Sequence, residues 1–302
     1  MTKPVWQGIH SVLVTPFDEA GAIDIARYEA LAQTNLDNGA DGLIVCGSTG
    51  EFYALSIAER RKLITATVSV AAGKVPVLVG VSDLQFDTVK EMNGIAEAEG
   101  ADGVLALPPI YAKPDAREAE HYYRQFAKTT ALPIMLYNSP ARIGVNITPD
   151  MVERLAELPN VAAIKDSSAD IQQVTELARR VKDRLAVFVG YETMIRSTLP
   201  IGVTGVVAMA HQLSGKLVRN YYDACAQGNQ AEADRLEPAL FAIYACFKTG
   251  SFYAGIKAVM NELGFAVGDP REPLLPFSQS QQDAVRSRLE AANVRSVIAS
   301  LK

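Results

Sequence analysis

Lys165 ends an apolar run, Val161-Ala-Ala-Ile164, and is followed by Asp166-Ser167-Ser168. Burying an ammonium there is costly, and desolvation biases a lysine toward its neutral, nucleophilic amine. The same side chain could instead pair with an acid or snorkel out of the end of the run. Three further polar clusters interrupt apolar runs in the same way. Gly47-Ser48-Thr49-Gly50-Glu51 offers two hydroxyls and adjacent N–H groups between glycines. That is a compact site for a small carboxylate, or an ordinary strand–turn with a helix cap. Tyr137-Asn138-Ser139-Pro140-Ala141-Arg142 brings a phenol that enters a site or fills the core. Its Arg142 is suited to clamp a second carboxylate or to pair with a surface acid. Gly190-Tyr191-Glu192 is open in the same two ways, Glu192 being the candidate ligand. The Gly47–Glu51 segment lacks the Gly-Lys-[Ser/Thr] ending of a nucleotide-binding phosphate loop.

These clusters close four of eight short runs rich in Val, Ile and Leu. The runs are Ile9–Thr15, Gly42–Gly47, Val75–Val81, Gly103–Leu107, Pro133–Asn138, Val161–Asp166, Leu185–Tyr191 and Val203–Met209. Near-continuous apolar runs are what strands covered on both faces look like. Between them lie helical patterns with start signals: Asp24 before a periodic segment, Ser56-Ile-Ala-Glu59 as a capping box, and Thr148-Pro149 with proline at the first helical position. Gly39, Gly73 and Gly100 fall where helices should stop. Eight such alternating units predict a parallel sheet closed into a TIM (β/α)8 barrel, with an open doubly wound sheet as the rival. In a barrel all four clusters face one mouth, and that convergence favours Lys165 as a nucleophile. Gly-Ala-Asp-Gly recurs at Gly39–Gly42 and Gly100–Gly103, each time just before a strand. Past residue 211 the strand signals stop. Helical patterns follow at Gly215–Ala226, Ala231–Phe247, Phe252–Leu263 and Ser280–Ile298, with Pro270, Pro273 and Pro276 marking a loop. The expected organisation is residues 1–210 as a barrel carrying the active site and residues 211–302 as a C-terminal helical extension packed on it.

Composition narrows the function classes. With 302 residues and 49% apolar content the chain is globular rather than disordered. A net charge of −5 with dispersed basic residues argues against nucleic-acid binding. No apolar stretch is long enough to span a membrane, and the amino terminus offers no apolar signal core. Cys46, Cys225 and Cys246 fit neither a disulfide framework nor a metal knuckle, and read as reduced thiols of a cytoplasmic protein. His10, His121 and His211 lack metal-ligand spacing, so no metal site is expected.

Together, Gly-Ser-Thr-Gly-Glu on the second strand, Tyr-Asn-x-Pro on the fifth and Ile-Lys-Asp-Ser-Ser on the sixth resemble the dihydrodipicolinate synthase / N-acetylneuraminate lyase family of Schiff-base aldolases. The match runs in order from about Gly8 through residue 210, and the helical tail fits too. The resemblance implies that Lys165 forms a Schiff base with pyruvate or another 2-oxo acid while Tyr137 shuttles protons. It implies that Ser48 and Thr49 hold the 2-oxo acid carboxylate. It further implies that Tyr111, in Pro108-Pro109-Ile110-Tyr111, reaches into a neighbouring subunit to complete a relay with Ser48 and Tyr137. The partners implied are a 2-oxo acid, an aldehyde and further copies of the chain, as a homotetramer built as a dimer of dimers; no cofactor is implied beyond the covalent imine.

The substrate signals diverge. Arg142 stands where the synthases bind the carboxylate of their aldehyde. Ser48 replaces their usual threonine, and Gly190-Tyr191-Glu192 is similar to the Gly-Tyr-Asp of sugar-acid lyases. Leu84 stands at the position of the asparagine that binds lysine as a feedback inhibitor, so no lysine inhibition is expected. Ala210-His211-Gln212 matches neither subgroup. The leading expectation is a dihydrodipicolinate synthase-like lyase. The alternatives are a 2-keto-3-deoxy sugar-acid aldolase or dehydratase, a hydroxyproline-pathway deaminase, and a non-catalytic 2-oxo-acid-binding barrel.

Overall fold

The computed structural model describes residues 6–301. The first five positions of the amino-terminal stretch, over which no signal core is expected, and the last position of the tail lie outside the described residues. Eight strands form: β1 (Gly8–Val12), β2 (Gly42–Val45), β3 (Val77–Gly80), β4 (Gly103–Ala106), β5 (Ile134–Asn138), β6 (Val161–Asp166), β7 (Ala186–Val189) and β8 (Gly205–Ala208). Each pairs in parallel with the next, and β1 pairs with β8 through Gly8 and Gly205, so the sheet is a closed barrel. This is the expected TIM barrel, and closure removes the open doubly wound sheet. Every strand residue is buried, one face by the barrel interior and the other by helices, which is why the runs carry no polar alternation. Several strands end before their apolar runs do. Leu13–Thr15, Cys46, Gly47 and Tyr191 have left the ladder and belong to the mouth.

Local signals act as their residue types dictate. Asp24 accepts from Arg27 N, Ser56 and Glu59 close a capping box, and Thr148 caps the helix that starts at Pro149. The repeated Gly-Ala-Asp-Gly has a shared task. Asp41 Oδ2 accepts from Ile9 N at 2.8 Å, and Asp102 Oδ2 accepts from Val77 N at 2.9 Å. In each case the carboxylate satisfies the entry of the preceding strand, whose first amides have no partner in the ladder.

Beyond β8 the chain forms helices Leu217–Ala226, Gln230–Phe247, Phe252–Glu262, Gln279–Ala291 and Val294–Ala299. The pattern predicted as one helix over Ser280–Ile298 is two, because Asn293 adopts φ 50°, a left-handed conformation that breaks the ladder and that asparagine tolerates well. Among the described residues no helix is long and apolar enough to cross a membrane.

Candidate active site

The parallel register of β5 and β6 sets Tyr137 opposite Lys165 and Asn138 opposite Asp166. Alternation along a strand sends successive side chains to opposite faces, so each pair acts as a unit. Lys165 and Tyr137 point into the mouth, with Lys165 Nζ 4.0 Å from the centroid of the phenol ring. Lys165 is 6% exposed and Tyr137 is buried. Burial alone pushes the phenol upward. The charge and hydrogen bond of Lys165, with Arg142 and a hydrogen bond from Ser167, outweigh that and hold it below its ordinary value. A phenol so placed parts with its proton more readily than a free tyrosine, as a proton shuttle requires.

Asn138 and Asp166 turn outward and anchor the pair. Asn138 Nδ2 donates to Asp166 Oδ2 at 2.8 Å and to Asn146 Oδ1 at 2.9 Å, while Asn138 Oδ1 accepts from Ile147 N at 2.9 Å. Gln173 Nε2 donates to the same Asp166 oxygen at 2.8 Å, and Ser168 N donates to the other at 3.0 Å. The polar residues after each run, legible only as a cluster, therefore divide between chemistry and the buried network that fixes its position.

At the end of β2, Ser48-Thr49-Gly50 makes a single 3-10 turn. Gly50 is required by space, since a Cβ there would lie 2.9 Å from Leu13 O. Glu51 closes the turn at φ 57°, outside the comfortable range of a side-chain-bearing residue. The tail holds it there. Lys257 Nζ lies 2.8 Å from Glu51 Oε1 with both side chains almost fully buried, and Arg271 N donates to Glu51 Oε2 at 3.0 Å. Arg271 also donates to Ala54 O at 2.9 Å and pairs with Glu59 at 2.6 Å.

These elements enclose a cavity of about 330 Å³, lined by Ser48, Thr49, Tyr137, Arg142, Lys165 and Ser167, among others. Five of the seven residues expected at the site are thus brought together. Arg142 is exposed at the rim, its guanidinium carbon 4.5 Å from the centroid of Tyr253. Tyr244, Lys248, Phe252 and Tyr253 also line the cavity, so the tail contributes walls that the strand-end reading did not include. Gly190 forms part of the floor. A Cβ there would lie 1.9 Å from Ser167 Oγ and 3.2 Å from Lys165 Cε. Gly190→Ala is expected to lower turnover about 100-fold, the scale of an ångström-sized misplacement. Steady-state kinetics beside an unchanged circular dichroism spectrum would check it; wild-type turnover would refute it.

Two of the expected residues lie elsewhere. Tyr111 is 88% exposed in the segment after β4 and does not line the cavity. Glu192, expected to bind substrate, is fully buried and turned away from the cavity. Its carboxylate accepts from Ala210 N and from the Tyr244 hydroxyl. The physical reason is local: the chain leaves β7 at Val189, and Glu192 opens a 3-10 turn over Glu192–Met194 in which Tyr191, Thr193 and Met194 line the cavity while the Glu192 side chain points behind it. Glu192 ties the end of β7 to the loop after β8 and to the tail. Burial raises its pKa to about 7, against the opposing effect of backbone donors including Ala210, Met209 and His211. Because the folded value exceeds the ordinary 4.5, this group's stabilisation is complete below about pH 4.5 and is lost as pH rises through about 7. The melting temperature of the wild type minus that of Glu192→Gln should therefore fall across this interval; a flat difference would count against the raised value.

Among the described residues no group of three or more His, Cys, Asp or Glu could hold a metal ion, and Cys46, Cys225 and Cys246 are free thiols. The chain is similar over nearly its whole length to known proteins. The model of the dihydrodipicolinate synthetase family matches residues 5–292. A 4-hydroxy-tetrahydrodipicolinate synthase of Desulforamulus reducens is 35% identical over 92% of this chain and 94% of that protein. Among solved structures, the dihydrodipicolinate synthase DapA-2 of Bacillus anthracis is 30% identical, with a TM-score of 0.91 over 95% of this chain and 98% of that one. YagE of Escherichia coli, a prophage protein of the dihydrodipicolinic acid synthase family solved in complex with pyruvate, is 26% identical, with a TM-score of 0.90 over 96% of this chain and 100% of that one.

Proposed function

The chain belongs to the dihydrodipicolinate synthetase family, whose relatives are lyases, and from that premise we propose that it joins or cleaves carbon–carbon bonds through a Schiff base between Lys165 and pyruvate or a related 2-oxo acid. The observation that carries the reading is the Lys165–Tyr137 pair, one amine 4.0 Å from one phenol ring in a walled cavity. The Lys165 amine attacks the ketone carbon and gives a carbinolamine. Tyr137 relays one amine proton to the oxygen as the carbinolamine forms and then gives up its own as the hydroxyl departs as water, which leaves the last amine hydrogen on a protonated imine beside the phenolate. The protonated imine is the electron sink that stabilises the enamine, so this chemistry needs no metal or organic cofactor. Ser48 and Thr49 take the 2-oxo acid carboxylate. Arg142, which makes no ion pair among the described residues, takes a carboxylate on the aldehyde.

That assignment favours a dihydrodipicolinate synthase-like reaction. That Glu192 is buried outside the cavity supports this reading over the sugar-acid one. Turnover of pyruvate with aspartate semialdehyde, and not of a 2-keto-3-deoxy aldonate, is the expected outcome of parallel assays. The reverse pattern would replace the synthase by the aldolase or dehydratase. With Leu84 exposed and unable to donate a hydrogen bond from its side chain, L-lysine should leave the rate unchanged.

The same reading divides the chain into a barrel over 1–210 and a helical extension over 211–302. It places the protein in the cytoplasm, where its thiols stay reduced. The protruding Tyr111 supports a homotetramer in which it enters a neighbour's site, and the mass of the particle in solution tests that. A solved relative described as the first monomeric dihydrodipicolinate synthase variant shows that a single chain is a state to be measured against.

A further inference from the structure

We propose that Tyr253, carried by the helical tail, is a specificity-determining residue that orders Arg142 across the cavity from Ser48 and so favours substrates with a carboxylate at the far end of the site, whichever reactant carries it. This rests on the roles given above to Lys165, Ser48 and Arg142.

Tyr253 is half-buried in the cavity wall on the helix Phe252–Glu262. Its ring stacks under the guanidinium of Arg142 at 4.5 Å, with the Phe252 ring at 5.6 Å. Tyr253 shares the cavity wall with Ser48. One rigid side chain therefore supports Arg142 from within the cavity that Ser48 also lines. An exposed arginine without an ion pair samples many rotamers, and ordering it on binding costs affinity. Stacking on an aromatic face removes much of that freedom while leaving the edge donors free for a carboxylate. Burial pushes the Tyr253 hydroxyl up to about 12, with Arg142 and Ser48 opposing, so the phenol stays protonated at neutral pH. A neutral phenol in this wall adds no negative charge that would repel the substrate carboxylate. A ligand with carboxylates at both ends satisfies Ser48, Thr49 and Arg142 together. One with an apolar far end leaves the ordered guanidinium desolvated and unpaired.

Borohydride trapping at Lys165 with three 2-oxo acids reads this directly. Pyruvate probes the near end; 2-oxoglutarate and 2-oxopentanoate have the same chain length and differ in the distal carboxylate. The wild type should be half-saturated by 2-oxoglutarate at roughly tenfold lower concentration than by 2-oxopentanoate, the scale of a charge-assisted hydrogen bond. Tyr253→Leu removes the ring and should collapse that preference while still trapping pyruvate. Tyr253→Phe keeps the ring and should retain the preference. A preference unchanged in Tyr253→Leu, or absent from the wild type, overturns the proposal while leaving the Schiff base intact. Failure of the wild type to trap pyruvate removes the Schiff-base reading itself, and this inference with it.

Discussion

Incubation with pyruvate followed by borohydride reduction should add one covalent pyruvate-derived group per chain, on the peptide that contains Lys165. Reduction converts a reversible imine into a stable secondary amine, so peptide mass mapping reports where the imine formed. Lys165→Ala should abolish the modification and lower turnover by roughly 10⁴-fold or more, the scale lost when a covalent nucleophile is removed. Lys165→Arg is the sharper variant. It keeps the positive charge above the Tyr137 ring, yet a guanidinium stays protonated and cannot form the imine. If Lys165 served only to hold the phenol in place, arginine would preserve part of the activity. If it is the nucleophile, arginine is as inactive as alanine. Labelling of Lys165→Ala equal to the wild type would end the proposal. An unlabelled but pyruvate-binding wild type would instead indicate a barrel that binds 2-oxo acids without turning them over.

The sequence carried the barrel and the centre of the site for the same reason. Strands buried on both faces are forced into unbroken apolar runs, so any polar residue at a run's end is conspicuous. Lys165 and Tyr137 were conspicuous in that way, and their neighbouring strands then set them side by side. The position of Glu192 behind the cavity was not legible, because the cluster reads as a unit. Alternation separates Lys165 from Asp166 within β6, but Glu192 lies past the end of β7 in a 3-10 turn, where no periodic rule says which side chain faces the cavity. Tyr253 and Lys257 were out of reach for a different reason. They lie on a helix whose amphipathic pattern says only that it packs against something, and no local rule states which loop of the barrel it meets. The break at Asn293 is a third kind of miss. A left-handed residue interrupts a helix without interrupting its hydrophobic period.

The tail's grip on the site leads to the second large effect. Lys257→Met should lower the melting temperature by roughly 5–15 °C, the shift expected when a buried ion pair loses one partner. The remaining Glu51 carboxylate would be almost wholly buried, with Arg271 N as its main donor. The pair itself is a poor source of stability. Burial pulls Lys257 down to about 8 despite the attraction of Glu51, so desolvation outweighs the pairing. Two consequences follow that a purely stabilising pair would not show. Adding Glu51→Gln to Lys257→Met should recover most of the lost melting temperature, since no uncompensated charge remains and the amide oxygen can still accept from Arg271 N. The double variant should nonetheless keep a raised half-saturation concentration for pyruvate. Glu51 at φ 57° is the residue that closes the Ser48–Gly50 turn, and without the ion pair that conformation is less firmly held. Recovery of both stability and pyruvate affinity would reduce the pair to packing. Recovery of stability alone would assign it the placement of the carboxylate loop, and would make the helical tail part of the machinery that positions substrate against Lys165.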